Sequence, residues 1–137
     1  MPQIIAYLKF KNNCRAAMNF YQQCFGGELE FQTVKDSVFE TAKTTEAEGQ
    51  VIVHSQLVND RMVLFGSEMV VPDEHANSTF LWINCDTDEE IRRFHTGLSQ
   101  GGTVTSDLQT AYWGTTFGAV TDQFGIQWYI STLPIKQ

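Results

Sequence analysis

Hydrophobic positions along this chain alternate between strand-like and helix-like periods, and glycine pairs and Asn- or Asp-led turns mark each change. Residues 3–10 (QIIAYLKF) are dense in β-branched and aromatic types and predict a strand. Asn12 and Asn13 then offer side-chain oxygens that can accept from the free amides of a helix start. Ala17, Phe20, Tyr21 and Cys24 recur at helical spacing as one apolar face. Gly26-Gly27 ends that helix, because glycine accepts the left-handed conformation beyond a helix terminus. Glu28 to Lys35 alternates as a second strand, and polar residues 41–49 predict a loop. Gln50 to Val58 and Arg61 to Gly66 form a hairpin turning at Asn59-Asp60.

The second half repeats this plan. Residues 68–78, with Pro72 among them, read as a connector, and Thr79 to Cys85 (TFLWINC) is strand-like. Thr87 and Glu90 have the spacing of a capping box, in which each side chain satisfies the other's exposed amide. Ile91, Phe94, His95 and Leu98 form an apolar helix face, and Gly101-Gly102 stops it. Short strands follow at 102–106, 115–121 and 125–131, the last two joined by the tight turn Asp122-Gln123-Phe124-Gly125. Phe10 and Cys85 are separated by the same offset as the two glycine pairs. It is punctuation rather than residue identity that repeats. The expectation is one domain, 1–137, built of two modules (about 1–67 and 79–133) joined by connector 68–78.

Composition narrows the function classes. Hydrophobic residues make up 42% of the 137-residue chain and aromatics 12%, enough for a folded core. A net charge of -7, with 16 acids against 9 bases and no basic stripe, argues against nucleic acid and anionic membrane surfaces as partners. No apolar run approaches the roughly 20 residues of a membrane-spanning helix. The amino terminus has no basic region leading into an apolar core. A soluble, cytoplasmic protein is expected. Cys14, Cys24 and Cys85 are odd in number and lack a CxxC spacing, so they read as small buried side chains rather than a disulfide framework. No G-x-S-x-G, P-loop or Rossmann fingerprint occurs. The acids Asp86, Asp88, Glu89 and Glu90 suit a helix start, where the dipole favours negative charge.

Several segments together resemble the vicinal oxygen chelate superfamily (glyoxalase I, bleomycin-resistance proteins and extradiol dioxygenases), and within it the PhnB-like branch. They are Ala6-Tyr7-Leu8-Lys9-Phe10, Asn13-Cys14-Arg15-Ala16-Ala17 running into Phe20-Tyr21, and Phe25-Gly26-Gly27-Glu28. They continue through Val53-His54-Ser55, Gly101-Gly102-Thr103-Val104, Tyr112-Trp113-Gly114, and Thr116 to Trp128 with Asp122 and Gly125. The resemblance implies an α+β fold of two tandem βαβββ modules, their strands curling into a half-open barrel over a cavity. It also implies a homodimer. Enzymes of the superfamily hold a divalent metal with His, Gln, Glu or Tyr from four strands, whereas some branches bind a drug or metabolite without metal. Some relatives carry a demethylubiquinone methyltransferase label, but no glycine-rich S-adenosylmethionine loop occurs in this chain.

Matched to the glyoxalase pattern, the four ligand positions fall near Ile5, Leu64, Phe80 and Tyr129. Ile4, Ala6, Val63, Phe65, Thr79, Leu81, Trp128 and Ile130 beside them are not ligating types either, so a one-residue error in register does not restore the site. One phenol does not hold a metal, and neither metal nor cofactor is expected. Among the histidines, His75 belongs to the connector and His95 to the margin of the second helix. His54 lies in a strand that should line the barrel, where it could exchange a proton with a ligand near neutral pH. Alternation places His54 opposite Val53 and Ser55 without saying which face is inward. The expected cavity lining is Ile5, Tyr7, His54, Leu64, Phe80, Trp82, Gln127 and Tyr129, with Trp113 over the mouth, a wall suited to a flat, partly apolar molecule. Three functions are compatible with it: a metal-free binding protein, an enzyme (with non-standard metal ligands or with His54 as acid–base catalyst), and a structural dimer with a filled barrel.

Overall fold

A computed structural model describes residues 3–37, 40–68, 79–111 and 114–132. The chain divides into two compact units, Met1–Ala76 and Asn77–Gln137. In the first, β1 (Ala6–Lys9) leads to α1 (Cys14–Phe25), β2 (Glu28–Thr33), α2 (Glu46–Gly49), β3 (Ile52–Val58) and β4 (Val63–Ser67). In the second, β5 (Leu81–Asn84) leads to α3 (Asp88–Leu98), β6 (Thr103–Thr110), β7 (Thr116–Thr121) and β8 (Gln127–Ser131). The sheets have the equivalent orders β1-β4-β3-β2 and β5-β8-β7-β6. In each, the first strand pairs parallel with the last and the other pairs are antiparallel. The architecture is α+β, two βαβββ modules with open four-stranded sheets.

One helix covers one face of each sheet. In the first unit, Cys14, Ala17, Met18 and Tyr21 are the buried positions of α1, spaced as i, i+3, i+4 and i+7. Phe20 and Cys24, assigned to the apolar face from sequence, lie at its half-buried margin. The helix packs over the face of β3 and β4 that carries Ser55, Leu57, Leu64 and Gly66, with Phe10 beside Gly66. A Cβ on Gly66 would stand 3.0 Å from the Met18 sulfur and 3.2 Å from the Phe10 ring, so this glycine sets the close approach of helix and sheet. In the second unit Ile91, Phe94 and Leu98 bury the inner stripe of α3 against Val120, Trp128 and Ile130.

Capping departs from the sequence expectations. Asn13 is the N-cap residue of α1 but makes no side-chain cap bond, and Asn12 takes a left-handed φ of 64°. The cap comes from Glu68, whose Oε2 accepts from the Cys14 amide at 3.0 Å while Oε1 accepts from the Ile52 amide at 2.9 Å. One carboxylate thus ties the start of the helix to the start of β3. At α3, Thr87 Oγ1 accepts from the Glu90 amide as expected, but Glu90 Oε1 turns to the Asp86 amide instead of closing the box. The full capping box lies in the presumed loop 41–49, where Thr45 and Glu48 cap α2 reciprocally. Strand β6 also runs to Thr110, beyond the expected 102–106, with register shifts that absorb its irregular pattern.

Candidate functional site

Strand pairing fixes which side chains share the face not covered by a helix. In the second unit β5 and β8 run in the register Leu81–Trp128, Trp82–Tyr129 and Ile83–Ile130. Trp128 and Ile130 are buried on the helix side, so Gln127, Tyr129 and Ser131 point to the open side, with Trp82 and Asn84 beside them. Phe80 precedes Trp82 by two residues and shares this face. From β7 come Phe117, Ala119 and Thr121, opposite Ser131, Tyr129 and Gln127.

These residues form an aromatic tier. The Trp82 and Tyr129 rings stack with centroids 4.3 Å apart and planes 24° apart, and Phe117 continues the stack 6.5 Å from Tyr129 at 9°. The Trp82 indole is held in orientation: its Nε1 donates to Ser131 Oγ at 2.9 Å, and Ser131 Oγ donates to Asn84 Oδ1 at 2.8 Å. Trp82 is nonetheless 55% exposed and Phe80 52%. Gln127 lies on the same face, and its Oε1 is buried without a hydrogen-bond partner among the described residues.

In the first unit the open face is more polar. Ser55 and Leu57 pair with Gly66 and Leu64 on the helix side, so His54, Gln56 and Val58 occupy the open side with Tyr7, Val63 and Phe65. Glu28, Glu30 and Gln32 of β2 extend it. The His54 ring meets Phe65 edge-on at 4.6 Å. Tyr7 is 46% exposed, and Ile5 flanks it on the same face.

One predicted lining residue is misplaced. Leu64 pairs with Ala6 and is buried on the helix face, because the register of β4 turns Val63 and Phe65, not Leu64, to the open side. Trp113 and His75 lie outside the described residues. His95 sits beside the sheet, its Nε2 3.3 Å from the Ser106 carbonyl oxygen. Phe117, Ser131 and Asn84 were not anticipated. Alternation in Thr116 to Thr121 and in β8 separates them from the buried set, but only pairing identifies the open side.

The side chains do not fit the divalent metal of the superfamily's enzymes. The matched positions offer Ile5, Phe80 and the Tyr129 phenol, and β4 offers Val63 or Phe65, a set with one oxygen donor. Among the described residues no three His, Cys, Asp or Glu side chains gather where they could hold an ion. No helix among them is long and apolar enough to cross a membrane.

Comparison with known proteins agrees with this architecture. Protein YjdN of Escherichia coli (strain K12) is 27% identical over 137 residues, covering 93% of this chain and 92% of that protein. The crystal structure of PA1353 from Pseudomonas aeruginosa matches with a TM-score of 0.81 and 33% identity over 95% of this chain and 96% of that one. The PhnB protein from Bacillus cereus shares the fold, with a TM-score of 0.72 at 21% identity over 95% of this chain and 98% of that one. The family model described as Glyoxalase/Bleomycin resistance protein/Dioxygenase superfamily matches residues 3–130. The chain belongs to that superfamily and has a PhnB protein among its structural neighbours.

Proposed function

We propose that this protein binds a small, flat, partly apolar molecule on the aromatic open face of its second unit, without the divalent metal used by enzymes of the superfamily. The observation that supports this most is Trp82, which is locked by the Ser131–Asn84 relay and stacked on Tyr129 yet 55% exposed. An indole fixed in place with a face open to solvent loses little entropy when a ring stacks on it. The donor set at the matched metal positions supports the metal-independent part of the reading. Native mass spectrometry of freshly purified protein is the test, since one spectrum reports subunit number, metal and co-purified ligand. A stoichiometric one-metal mass shift sinks the reading. Trp82→Ala is expected to abolish ligand uptake while leaving the circular dichroism spectrum unchanged. A homodimer is part of the proposal, and the same spectrum reads it.

A second reading, acid–base catalysis at His54, draws on the place of that imidazole on the open face of the first unit, edge-on to Phe65. It requires an activity that collapses in His54→Ala while the fold survives.

A further inference from the structure

Among the described residues, the open face of the second unit holds a buried polar atom that its own fold leaves unmet. Gln127 begins β8, two residues before Tyr129 and on the same side of the sheet. Its Oε1 is buried and accepts no hydrogen bond, and among the described residues none reaches its side-chain nitrogen. An amide oxygen removed from water without a donor is costly, and native folds leave few of them. The indole and the serine beside it are already engaged: Trp82 Nε1 is bonded to Ser131, and Ser131 to Asn84. Among the described residues Gln127 thus supplies the buried acceptor of this face that has capacity to spare.

We propose that Gln127 is a specificity-determining residue which reads the N–H and C=O edge of a planar lactam or cyclic amide whose ring stacks on Trp82. This rests on the aromatic-face reading above and adds the chemical class of the ligand. A primary amide presents one acceptor and one donor side by side, and a cis-lactam presents the complementary pair. With the side-chain amide turned out to the open face, an N–H donor would meet Oε1 and a carbonyl would meet Nε2. The spacing suits a fused bicyclic ring: Gln127 and Trp82 lie on adjacent strands two residues apart in register, so their Cα atoms are about 8 Å apart. A ligand offering only a flat apolar surface would leave Oε1 as it stands. A carboxylate would set an acceptor against an acceptor.

Two probes of equal ring area separate the roles: 2-quinolone, with a lactam N–H, and N-methyl-2-quinolone, in which that donor is capped. Binding is followed by quenching of tryptophan fluorescence and by calorimetry in wild type, Gln127→Leu and Trp82→Ala, each first shown to be folded by circular dichroism. Wild type should prefer 2-quinolone by roughly tenfold, the worth of one hydrogen bond. Gln127→Leu should bind both probes equally, at the weaker affinity, and Trp82→Ala should lose both. Equal binding of the two probes by wild type, with loss in Trp82→Ala, overturns the role of Gln127 and leaves the aromatic-face reading standing. No binding of either probe at millimolar concentration, or binding that Trp82→Ala leaves unchanged, overturns both.

Discussion

Replacing Asp122 by Ala removes the anchor of the second hairpin. The carboxylate is 3% exposed. Oδ1 accepts from the Phe124 amide at 2.9 Å and the Ile126 amide at 3.1 Å, and Oδ2 accepts from the buried Trp128 Nε1 at 2.8 Å. Hydrogen bonds to a charged acceptor are worth about 1.5–3 kcal/mol each, and the three are not additive. The two turn amides are only partly buried, so water can replace much of what they lose. The indole N–H belongs to a side chain 2% exposed and has no such recourse. A destabilisation of about 3–5 kcal/mol follows, a large share of the 5–15 kcal/mol typical of a domain. Asp122→Asn should cost less, about 1–3 kcal/mol, because it keeps one oxygen but cannot satisfy both the turn and the indole. Urea denaturation followed by far-UV circular dichroism measures both, with the m-value expected to hold. Trp128→Phe removes the donor, and a double-mutant cycle with Asp122→Ala isolates the indole bond, expected at about 1–2 kcal/mol of coupling. A cost below about 0.5 kcal/mol for Asp122→Ala, or strict additivity in the cycle, would refute this account.

Other perturbations test the rest of the frame. Gly27→Ala should destabilise clearly more than Gly26→Ala, because a Cβ at Gly27 stands 2.5 Å from the Val58 carbonyl oxygen whereas at Gly26 nothing lies within 4 Å. Thermal denaturation of the two variants compares them directly. Glu68→Ala should cost about 2–4 kcal/mol by releasing the Cys14 and Ile52 amides together, read by urea unfolding. Burial pushes the Cys14 thiol up from 9.0 to about 11, partly offset by its contact with Ser55. The folded state therefore holds that proton longer than the unfolded chain. Its contribution is intact below pH 9 and is lost as pH rises from about 9 to 11, by up to about 1.4 kcal/mol per unit. The difference between wild type and Cys14→Ala across that window isolates it, and a flat difference refutes it. Glu48, exposed at the α2 cap, is held below the ordinary carboxylate range by the Thr45 amide first and its hydroxyl second. That bond should persist above the ordinary range and open as pH falls through the lowered value, as hydrogen exchange at the Thr45 amide, its donor, would show.

What could be read from sequence was what is local. The helix stop at Gly26 and the Asn59 and Asp122 turns each depend on a few consecutive residues and stand in the structure, whereas α3 ends at Leu98, ahead of the expected stop at Gly101. The Glu68 cap was not legible, because its partners lie 54 and 16 residues away in the chain and no spacing rule links them. Side-chain facing was half legible. Alternation separated His54 from Ser55, but the open side depends on pairing with Gly66 and Phe65. The same dependence misplaced Leu64, since a shift of one residue in a strand exchanges its faces. Gln127 was named for its position on the aromatic wall. Its unmet acceptor emerges only once neighbouring side chains are placed.

The repeated punctuation has a physical cause on the scaffold side of each sheet. In the first unit Asn59 Nδ2 donates to the Phe25 and Gly26 carbonyl oxygens at the end of α1, and in the second Gln123 Nε2 donates to the Gln100 carbonyl oxygen beyond α3. Each hairpin turn is thereby fastened to the end of its own helix. At that junction the last carbonyl of the third strand, Val58 or Thr121, passes so close to Gly27 or Gly102 that a Cβ would collide with it. A glycine is required at both places for one reason, and this accounts for the second glycine of each pair. No such constraint acts on the open faces, and their side chains differ: Glu28, Glu30, Gln32, His54 and Gln56 stand on one, Trp82, Phe117 and Tyr129 on the other. The fold fixes the covered face of each sheet and leaves the other free of that constraint, so the aromatic face of the second unit, where a half-exposed indole is hydrogen-bonded in place, is where the proposed binding should be sought first.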